Sequence, residues 1–459
     1  MKPDCPCCAL RPTVQKARER SKRRLLQRRS GLDKRSGRYF PWPSNSSSLF
    51  GIGVSHRIAL NQIGRTALDR VQRLGDVAEI MLDYVENKKT FMTDKTLKVP
   101  SNSYTDKDQF DAEIELIFKR VPLLLAFTAE LPNPGDYKAM DAMGVPVLIN
   151  RDKQGQVRAF LNVCSHRGAP VADQGKGNCS RFTCKYHAWT YGADGRLLGI
   201  SEASTFGEVD KSQMGLRVLP CEERAGMIFV CLTPNAPMDL DRYFRGYLED
   251  FEALDFANWT YLGNRTIEGA NWKIAFDGYL EGYHFQSLHP ETIFPRTPSN
   301  TMHYEGFGPN MRIGFPQHSI ADQLKDVPRE KWGECENNGY DFVRIFFPNV
   351  SIFVAPEITQ IAQLFPGPTP DRNRTVLNYL RREPVKDEAD REKVEAAMNF
   401  FRDVTYEEDY VIGLEIQKGL ESGAHDDITF GRNERGNQFF HEWLNWYLED
   451  DETLPEPQM

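Results

Sequence analysis

The stretches Cys164-Ser-His166 and Cys184-Lys-Tyr-His187 decide how this chain is read. Each offers one thiolate and one imidazole on a short turn, and seventeen residues lie between them. That spacing lets two turns fold over a single inorganic site. Two Cys and two His can hold a [2Fe–2S] cluster with both imidazoles on one iron, which raises its potential to roughly −150 to +300 mV, against about −400 mV for plant-type ferredoxins. A Cys₂His₂ zinc site uses the same residue types. Zinc motifs, however, pair Cys with Cys and His with His, whereas each turn here carries one of each. The flanks also favour iron–sulfur: Arg167-Gly168-Ala169-Pro170 gives a tight turn, and Trp189-x-Tyr191 with Gly192 and Gly195 follows the second half. Cys164, His166, Cys184 and His187 are therefore read as cluster ligands, and the chain as redox-active.

Around this motif lie 459 residues, enough for two or three domains. A hydrophobic share of 40 % and a charged share of 27 % are ordinary for a globular protein, and a net charge of -8 argues against nucleic-acid binding by the whole chain. No apolar run approaches bilayer length; Val121–Phe127 comes nearest and is far too short. Nine cysteines are no disulfide scaffold, and Cys179, Cys221, Cys231 and Cys335 as free thiols fit a reducing compartment, so a cytoplasmic location is expected. The N-terminus differs. Arg11–Arg38 carries 12 Lys/Arg against Glu19 and Asp33, a net of +10, with few apolar residues. Such a composition cannot bury enough area to order itself. Residues 1–57 read as a basic, disordered leader, with an anionic-surface patch or a targeting peptide as alternatives and Met81 or Met92 as internal starts. Cys5, Cys7 and Cys8 lack a second pair at usable spacing and receive no function.

Ile58–Glu86 has helical spacing of Leu, Val and Ile, Pro100–Asp108 reads as a loop, and Phe110–Lys119 as a short helix ending near Pro122. From Glu130 to Pro234 short β-prone runs (Val145–Asn150, Val157–Val163, Met227–Leu232) alternate with Gly, Pro and Asp turns, the pattern of a small all-β domain. Thr233–Pro237 reads as a linker. Beyond it, strand-like Phe342–Val354 and Thr375–Arg381 lie between helical Asn271–Leu288 and Lys386–Leu420, which predicts an α+β class. The expected division is a leader at 1–57, a helical segment at 58–120, a cluster domain at 121–234 and a second domain at 235–459.

That second domain holds Asn271–His289, NWKIAFDGYLEGYHFQSLH. Glu281 and His284 are three apart and would share a helix face. His289 is five beyond His284, and Pro290 disfavours helical geometry there, so an ending or bulge would let both imidazoles converge. Two His and one carboxylate make the facial triad of mononuclear non-haem Fe(II), with open positions. In Lys386–Leu420, the positions Met398, Phe401, Thr405, Asp409, Ile412 and Ile416 fall on one helical face. Asp409 would be a lone acid there unless a metal compensated it. Equally, it could belong to the acidic patch Glu407–Asp409, and periodicity leaves both readings open. Phe276, Tyr279, Tyr283, Phe285, Leu288 and Phe294 cluster in sequence about the His pair; such a lining would suit an arene or a quaternary ammonium group.

Here the chain resembles the large (α) subunit of the Rieske non-haem iron, or ring-hydroxylating, oxygenases. The resemblance rests on Cys164-Ser-His-Arg-Gly-Ala and Cys184-Lys-Tyr-His-Ala-Trp, then Asn271-Trp272-Lys273, Glu281-x-x-His284-x4-His289, Glu408-Asp409 eight residues before Gln417, and Phe440-His441-x-Trp443. It runs from about Phe110 to the C-terminus. It implies a small all-β Rieske domain followed by a helix-grip catalytic domain with antiparallel sheet and helices. It implies one [2Fe–2S] cluster, one mononuclear Fe(II) on His284, His289 and Asp409, and a catalytic Glu281 linking the two metal sites by hydrogen bonds to a cluster His and an iron-ligand His. It further implies an oxygenase component that hydroxylates an organic, aromatic substrate with O2. Electrons would come from an external NAD(P)H-dependent reductase, with or without a ferredoxin. The short electron path would cross between subunits of a homotrimer, with or without a small β subunit. Three positions depart from the family: Lys185 where Pro is usual, Glu281 where Asp is usual, and Asp277 where dioxygenases often carry Asn. The last two point toward the alternative of a monooxygenase or oxidative demethylase acting on an amine or quaternary ammonium compound. A Rieske electron carrier is the non-enzyme alternative, but needs no His/His/Asp set and no domain the size of 235–459; a zinc-stabilised binding protein is another.

Overall fold

Short β-prone runs between turn residues become short strands. The computed structural model describes residues 55–334 and 339–459. In it Val145–Arg151 pairs antiparallel with Asp136–Ala142 on one side and Val157–Leu161 on the other. Gly175–Asn178 and Val218–Leu219 complete this five-stranded sheet. Leu123–Phe127, Met227–Val230 and Cys221–Arg224 make a second sheet. Arg181–Thr183, Thr190–Gly192 and Leu197–Gly199 make a third, whose first two strands flank the second Cys/His turn. The strands expected at Val145, Val157 and Met227 are all present. Leu148, Phe160, Phe182, Trp189, Tyr191 and Leu197 form a core of their own beneath the two turns.

The second half is organised by a seven-stranded antiparallel sheet. Its order is Thr260–Gly269, Asn373–Arg381, Thr359–Pro366, Val350–Val354, Tyr340–Phe346, Asn310–Pro316, His303–Phe307. Asn310–Pro316 and Thr359–Pro366 are buried at every position, so both faces of the sheet are covered there. The helix Trp272–Asp277 packs on Thr359–Pro366, and the helix Val411–Glu421 packs on Trp272–Asp277 in turn. Mixed helix and antiparallel sheet, as expected, is the result. Phe342–Val354 proves to be two strands joined by a turn at Phe347-Pro348-Asn349.

Residues Asn61–Met459 form one compact unit and Met1–Leu60 another; of the latter only the start of the helix Ser55–Glu86 is described. That helix buries Leu74, Val77, Ala78 and Met81 against Ile320, Leu324, Tyr340 and Phe342, the i, i+3, i+4, i+7 spacing of an amphipathic face. The basic leader before Ser55, the cysteines at 5, 7 and 8, and Cys335 lie outside the described residues. No helix among the described residues is long and apolar enough to cross a membrane.

Three local expectations give way to tertiary contacts. Pro100–Asp108 is not a plain loop: Leu97–Pro100 is a strand paired with Asp427–Phe430, and Asp106 caps the helix Lys107–Glu113 by accepting from Gln109 N. Asn271–Leu288 is not one helix. It stops at Asp277, whose carbonyl accepts from Asn437 Nδ2 and whose carboxylate is held by Tyr104 and His441. It resumes only over Phe285–Leu288. Lys386–Leu420 is not one regular helix either. Glu388–Asp403 and Val411–Glu421 are α-helical, but Val404–Tyr410 between them is a π-helix, an insertion of extra chain per turn. The inward face therefore moves on by one residue. Ile412 and Ile416, expected to face inward, are 43 % and 44 % exposed, while Gly413 and Gln417 are buried.

Candidate metal centres

The two Cys/His turns are built alike. Cys164 N donates to Ala169 O and Cys164 O accepts from Gly168 N; Cys184 N donates to Trp189 O and Cys184 O accepts from Ala188 N, all at 2.8 or 2.9 Å. Each loop closes through a left-handed residue, Gly168 at φ +80° and Ala188 at φ +55°. Both thiols are buried, and the His166 and His187 rings lie side by side with centroids 4.6 Å apart. His166 stacks on Trp189 at 4.9 Å and 9°. Tyr191 Oη, buried behind the first turn, lies 3.2 Å from Cys164 Sγ and accepts from Ser165 N at 3.0 Å. Burial, then its hydrogen bond with Cys164, pushes this hydroxyl up to about 12. Tetrahedral zinc draws its ligand atoms within roughly 4 Å of one another, given bonds of about 2.0–2.3 Å. Among the described residues, only one set of three or more His, Cys, Asp or Glu is gathered within 4.8 Å, and it is not this one. Two thiolates and two imidazoles on paired turns are the ligand types of a [2Fe–2S] cluster with both imidazoles on one iron.

The gathered set is His284, His289 and Asp409. His289 Nε2 lies 3.0 Å and His284 Nε2 3.7 Å from Asp409 Oδ1, close to the roughly 3 Å between neighbouring ligand atoms on one ion with bonds near 2.1 Å. Two imidazole nitrogens and one carboxylate oxygen on a face fit Fe(II). Local sequence sets this up. His284 caps the short helix Phe285–Leu288 and His289 ends it, with Pro290 next, so the two rings meet at 5.1 Å across a single helical turn. Glu281 and His284 thus do not share a helix face. Instead the Glu281 carboxylate folds back over the turn, accepting from His284 Nδ1 and from the Tyr283 and His284 amides. Asp409 arrives from the π segment. That segment is kept close by Tyr410, whose hydroxyl lies 2.6 Å from Thr375 Oγ1 and whose ring lies over Gly269, where a Cβ would stand 2.6 Å from it.

A further group has no counterpart in the sequence reading. Glu408 Oε2 contacts His289 Nδ1, on the side of the ring away from Asp409, and accepts from Thr292 Oγ1 at 2.8 Å. Burial alone would lower His289, but hydrogen bonds to Asp409 and Glu408 hold it above the ordinary imidazole value. In the sequence this position stood out only within the acidic run Glu407–Asp409 and in the motif Glu408-Asp409, with no role assigned to it. The aromatic residues expected around the His pair separate. Phe285 packs edge-on against both rings, Phe276 is core against Phe440, Phe294 packs on His318, and Tyr283 is 60 % exposed. Lys185 is at the surface beside Asp173.

A family model described as "Rieske [2Fe-2S] domain" matches residues 122–213, and one described as "Ring hydroxylating alpha subunit (catalytic domain)" matches residues 256–450. The chain belongs to the Rieske oxygenase large subunits. As such it takes a [2Fe–2S] cluster and a mononuclear iron. Among relatives of this Rieske oxygenase subunit is the glycine betaine monooxygenase oxygenase subunit of Pseudomonas aeruginosa, 34 % identical over 44 % of this chain and 46 % of that protein. The match therefore spans about half that relative's length. The carnitine monooxygenase oxygenase subunit of Escherichia coli is 27 % identical over 77 % of this chain and 94 % of its own length. A solved quaternary ammonium Rieske monooxygenase, described for carnitine oxidation and inter-subunit electron transfer, superposes with a TM-score of 0.65 at 23 % identity, covering 80 % of this chain and 98 % of that one, which establishes likeness of fold.

Proposed function

We propose that this chain is the oxygenase component of a Rieske monooxygenase, with a quaternary ammonium compound as its substrate. The observation that carries the oxygenase reading is the His284–His289–Asp409 triad, each ligand atom within 4.8 Å of the others. In this reading those three residues hold the iron, Cys164, His166, Cys184 and His187 hold the cluster, and the boundaries are 121–234 and 235–459 for the two metal-bearing domains. The bound iron supplies open positions for O2 beside substrate, and the cluster supplies a second electron. One oxygen atom enters the substrate and the other leaves as water, consuming two electrons and two protons. Glu281 keeps His284 turned with Nε2 toward the metal. Its carboxylate has acceptor capacity left for a cluster imidazole of a neighbouring copy, which is its expected part in inter-subunit transfer within a homotrimer. An external NAD(P)H-dependent reductase, in a cytoplasmic setting, supplies the electrons.

The quaternary ammonium substrate is supported by the carnitine relative, which aligns over 94 % of its own length, and by Glu281 in place of Asp. Hydroxylation of an aromatic substrate is the second reading, favoured by the anthranilate 1,2-dioxygenase large subunit of Acinetobacter baylyi, 30 % identical over 43 % of this chain. The test is iron and acid-labile sulfide per chain on anaerobic protein, followed by substrate-dependent O2 uptake with a reductase. About three irons and two sulfides are expected, with the D409A variant losing one iron, its turnover, and nothing of the cluster spectrum. Iron content unchanged in D409A would refute the ligand assignment. Uptake stimulated by an aromatic carboxylate and by no quaternary ammonium compound would reverse the substrate reading.

A further inference from the structure

We propose that Glu408 is a positioning residue for the iron centre: it holds His289 by Nδ1 so that Nε2 faces the metal. The inference rests on the triad reading above. Metal-ligating imidazoles work best when the other ring nitrogen donates to a fixed acceptor, which sets the tautomer and the ring orientation. His284 has such an acceptor in Glu281, three residues upstream. His289 Nδ1 has no such acceptor nearby in sequence. Its acceptor comes instead from 119 residues downstream: Glu408 meets Nδ1 while the adjacent Asp409 meets Nε2 of the same ring at 3.0 Å. Two successive residues on one strip of helix address opposite edges of one imidazole. The π-helix Val404–Tyr410 is what puts both of them inward.

Glu408 also ties the ligand to its own loop. The same Oε2 accepts from Thr292 Oγ1, and the loop returns on His289 through Phe294 N to His289 O at 3.0 Å. Glu407, next in sequence, is exposed. The acidic run is thus divided by the π turn into one solvated residue, one that orients a ligand, and one placed to be a ligand.

The test is the affinity of the holo-[2Fe–2S] protein for Fe(II), measured by competition with a chelator, in wild type, E408A, E408Q and H289A. Visible absorption and circular dichroism of the cluster serve as the folding control. E408A is expected to bind Fe(II) roughly 10- to 100-fold more weakly. E408Q, whose amide oxygen still accepts from Nδ1–H, is expected to recover most of that loss. Affinity in E408A within twofold of wild type overturns the proposal. So does E408Q as weak as E408A, which would mean that charge alone, not the hold on His289, is what Glu408 contributes. Should E408A not accumulate with a normal cluster spectrum, E408M keeps the volume while removing the acceptor. H289A is expected to lose the iron; if H289A binds Fe(II) like wild type, the triad reading itself fails, whereas loss in H289A with none in E408A defeats only the role given to Glu408.

Discussion

Removing the charge of Glu113 should cost the fold several kcal/mol, and removing Lys273 as well should restore much of it. Glu113 ends the helix Lys107–Glu113 and is fully buried; Lys273, in the first turn of the helix that leads to Glu281 and His284, is 1 % exposed. Glu113 Oε1 accepts from Lys273 Nζ at 2.5 Å and its Oε2 from Trp272 Nε1 at 2.9 Å. Neither ion has water to fall back on. A buried pair adds little net stability, because desolvating both ions cancels most of their attraction, but stripping one partner strands the other, at about 3–5 kcal/mol. E113Q leaves the ammonium so stranded, and K273M the carboxylate. In E113Q/K273M no charge remains and Gln can still accept from the indole N–H, so the double variant should lie well above the sum of the singles, with a coupling of roughly 2–3 kcal/mol. Thermal melts followed by far-UV circular dichroism check this; at no more than about 2 °C per kcal/mol for a unit this large, each single should melt several degrees early. Singles within about 1 kcal/mol of wild type, or a double equal to their sum, would refute the reasoning.

Three other outcomes follow from the geometry. Burial alone would raise the Asp250 carboxyl, but Arg312, Arg344 and Arg70 hold it below the usual carboxylate range; a depressed folded value gives stability that is present above about pH 4 and lost as pH falls through the folded value. Stability measured from pH 5 down to pH 3 should therefore fall less steeply in D250N than in wild type, and parallel curves would show that Asp250 titrates alike folded and unfolded. Ala188 closes the second cluster turn at φ +55°, a conformation that costs a non-glycine residue about 1 kcal/mol or more. A188G should be neutral or slightly stabilising with an unaltered cluster spectrum, while A188V should lower cluster content; equal behaviour of the two would contradict a left-handed requirement. E281Q should slow substrate-dependent O2 uptake with iron and sulfide content retained, and loss of iron would make Glu281 a structural prop of His284 instead.

What the sequence discloses, and what it hides, divides along the range of the interactions. The two Cys/His turns proposed to hold the cluster are legible because each is closed by hydrogen bonds four and five residues apart, so the local pattern and the local structure are the same thing. The convergence of His284 and His289 is legible for a similar reason, with Pro290 following the end of the short helix that brings them together. The break after Asp277 is not, because it is made by Tyr104, Asn437 and His441, residues more than 150 positions away. Nor is the pairing of Leu97–Pro100 with Asp427–Phe430, a two-stranded ladder whose partner strands carry no mutual signal.

Asp409 shows why periodicity stalled between metal ligand and surface acid. A period of 3.6 carried from Met398 through Asp409 predicts Ile412 and Ile416 on the same buried face, and on that assumption Glu408, seven residues beyond Phe401, lies only at its edge. Both conclusions assume that one helical register runs through the segment. The residues downstream already disagree with that: an apolar stripe at 412 and 416 is exposed, whereas Gly413 and Gln417 are buried and Gln417 accepts from Asn271 N at 3.1 Å. A one-residue slip between Thr405 and Gly413 reconciles them, and the π-helix at Val404–Tyr410 is that slip. The slip costs hydrogen-bond geometry, and such turns persist where a function repays them. Here the return is that Glu408 and Asp409, neighbours in the chain, reach the two nitrogens of a single histidine.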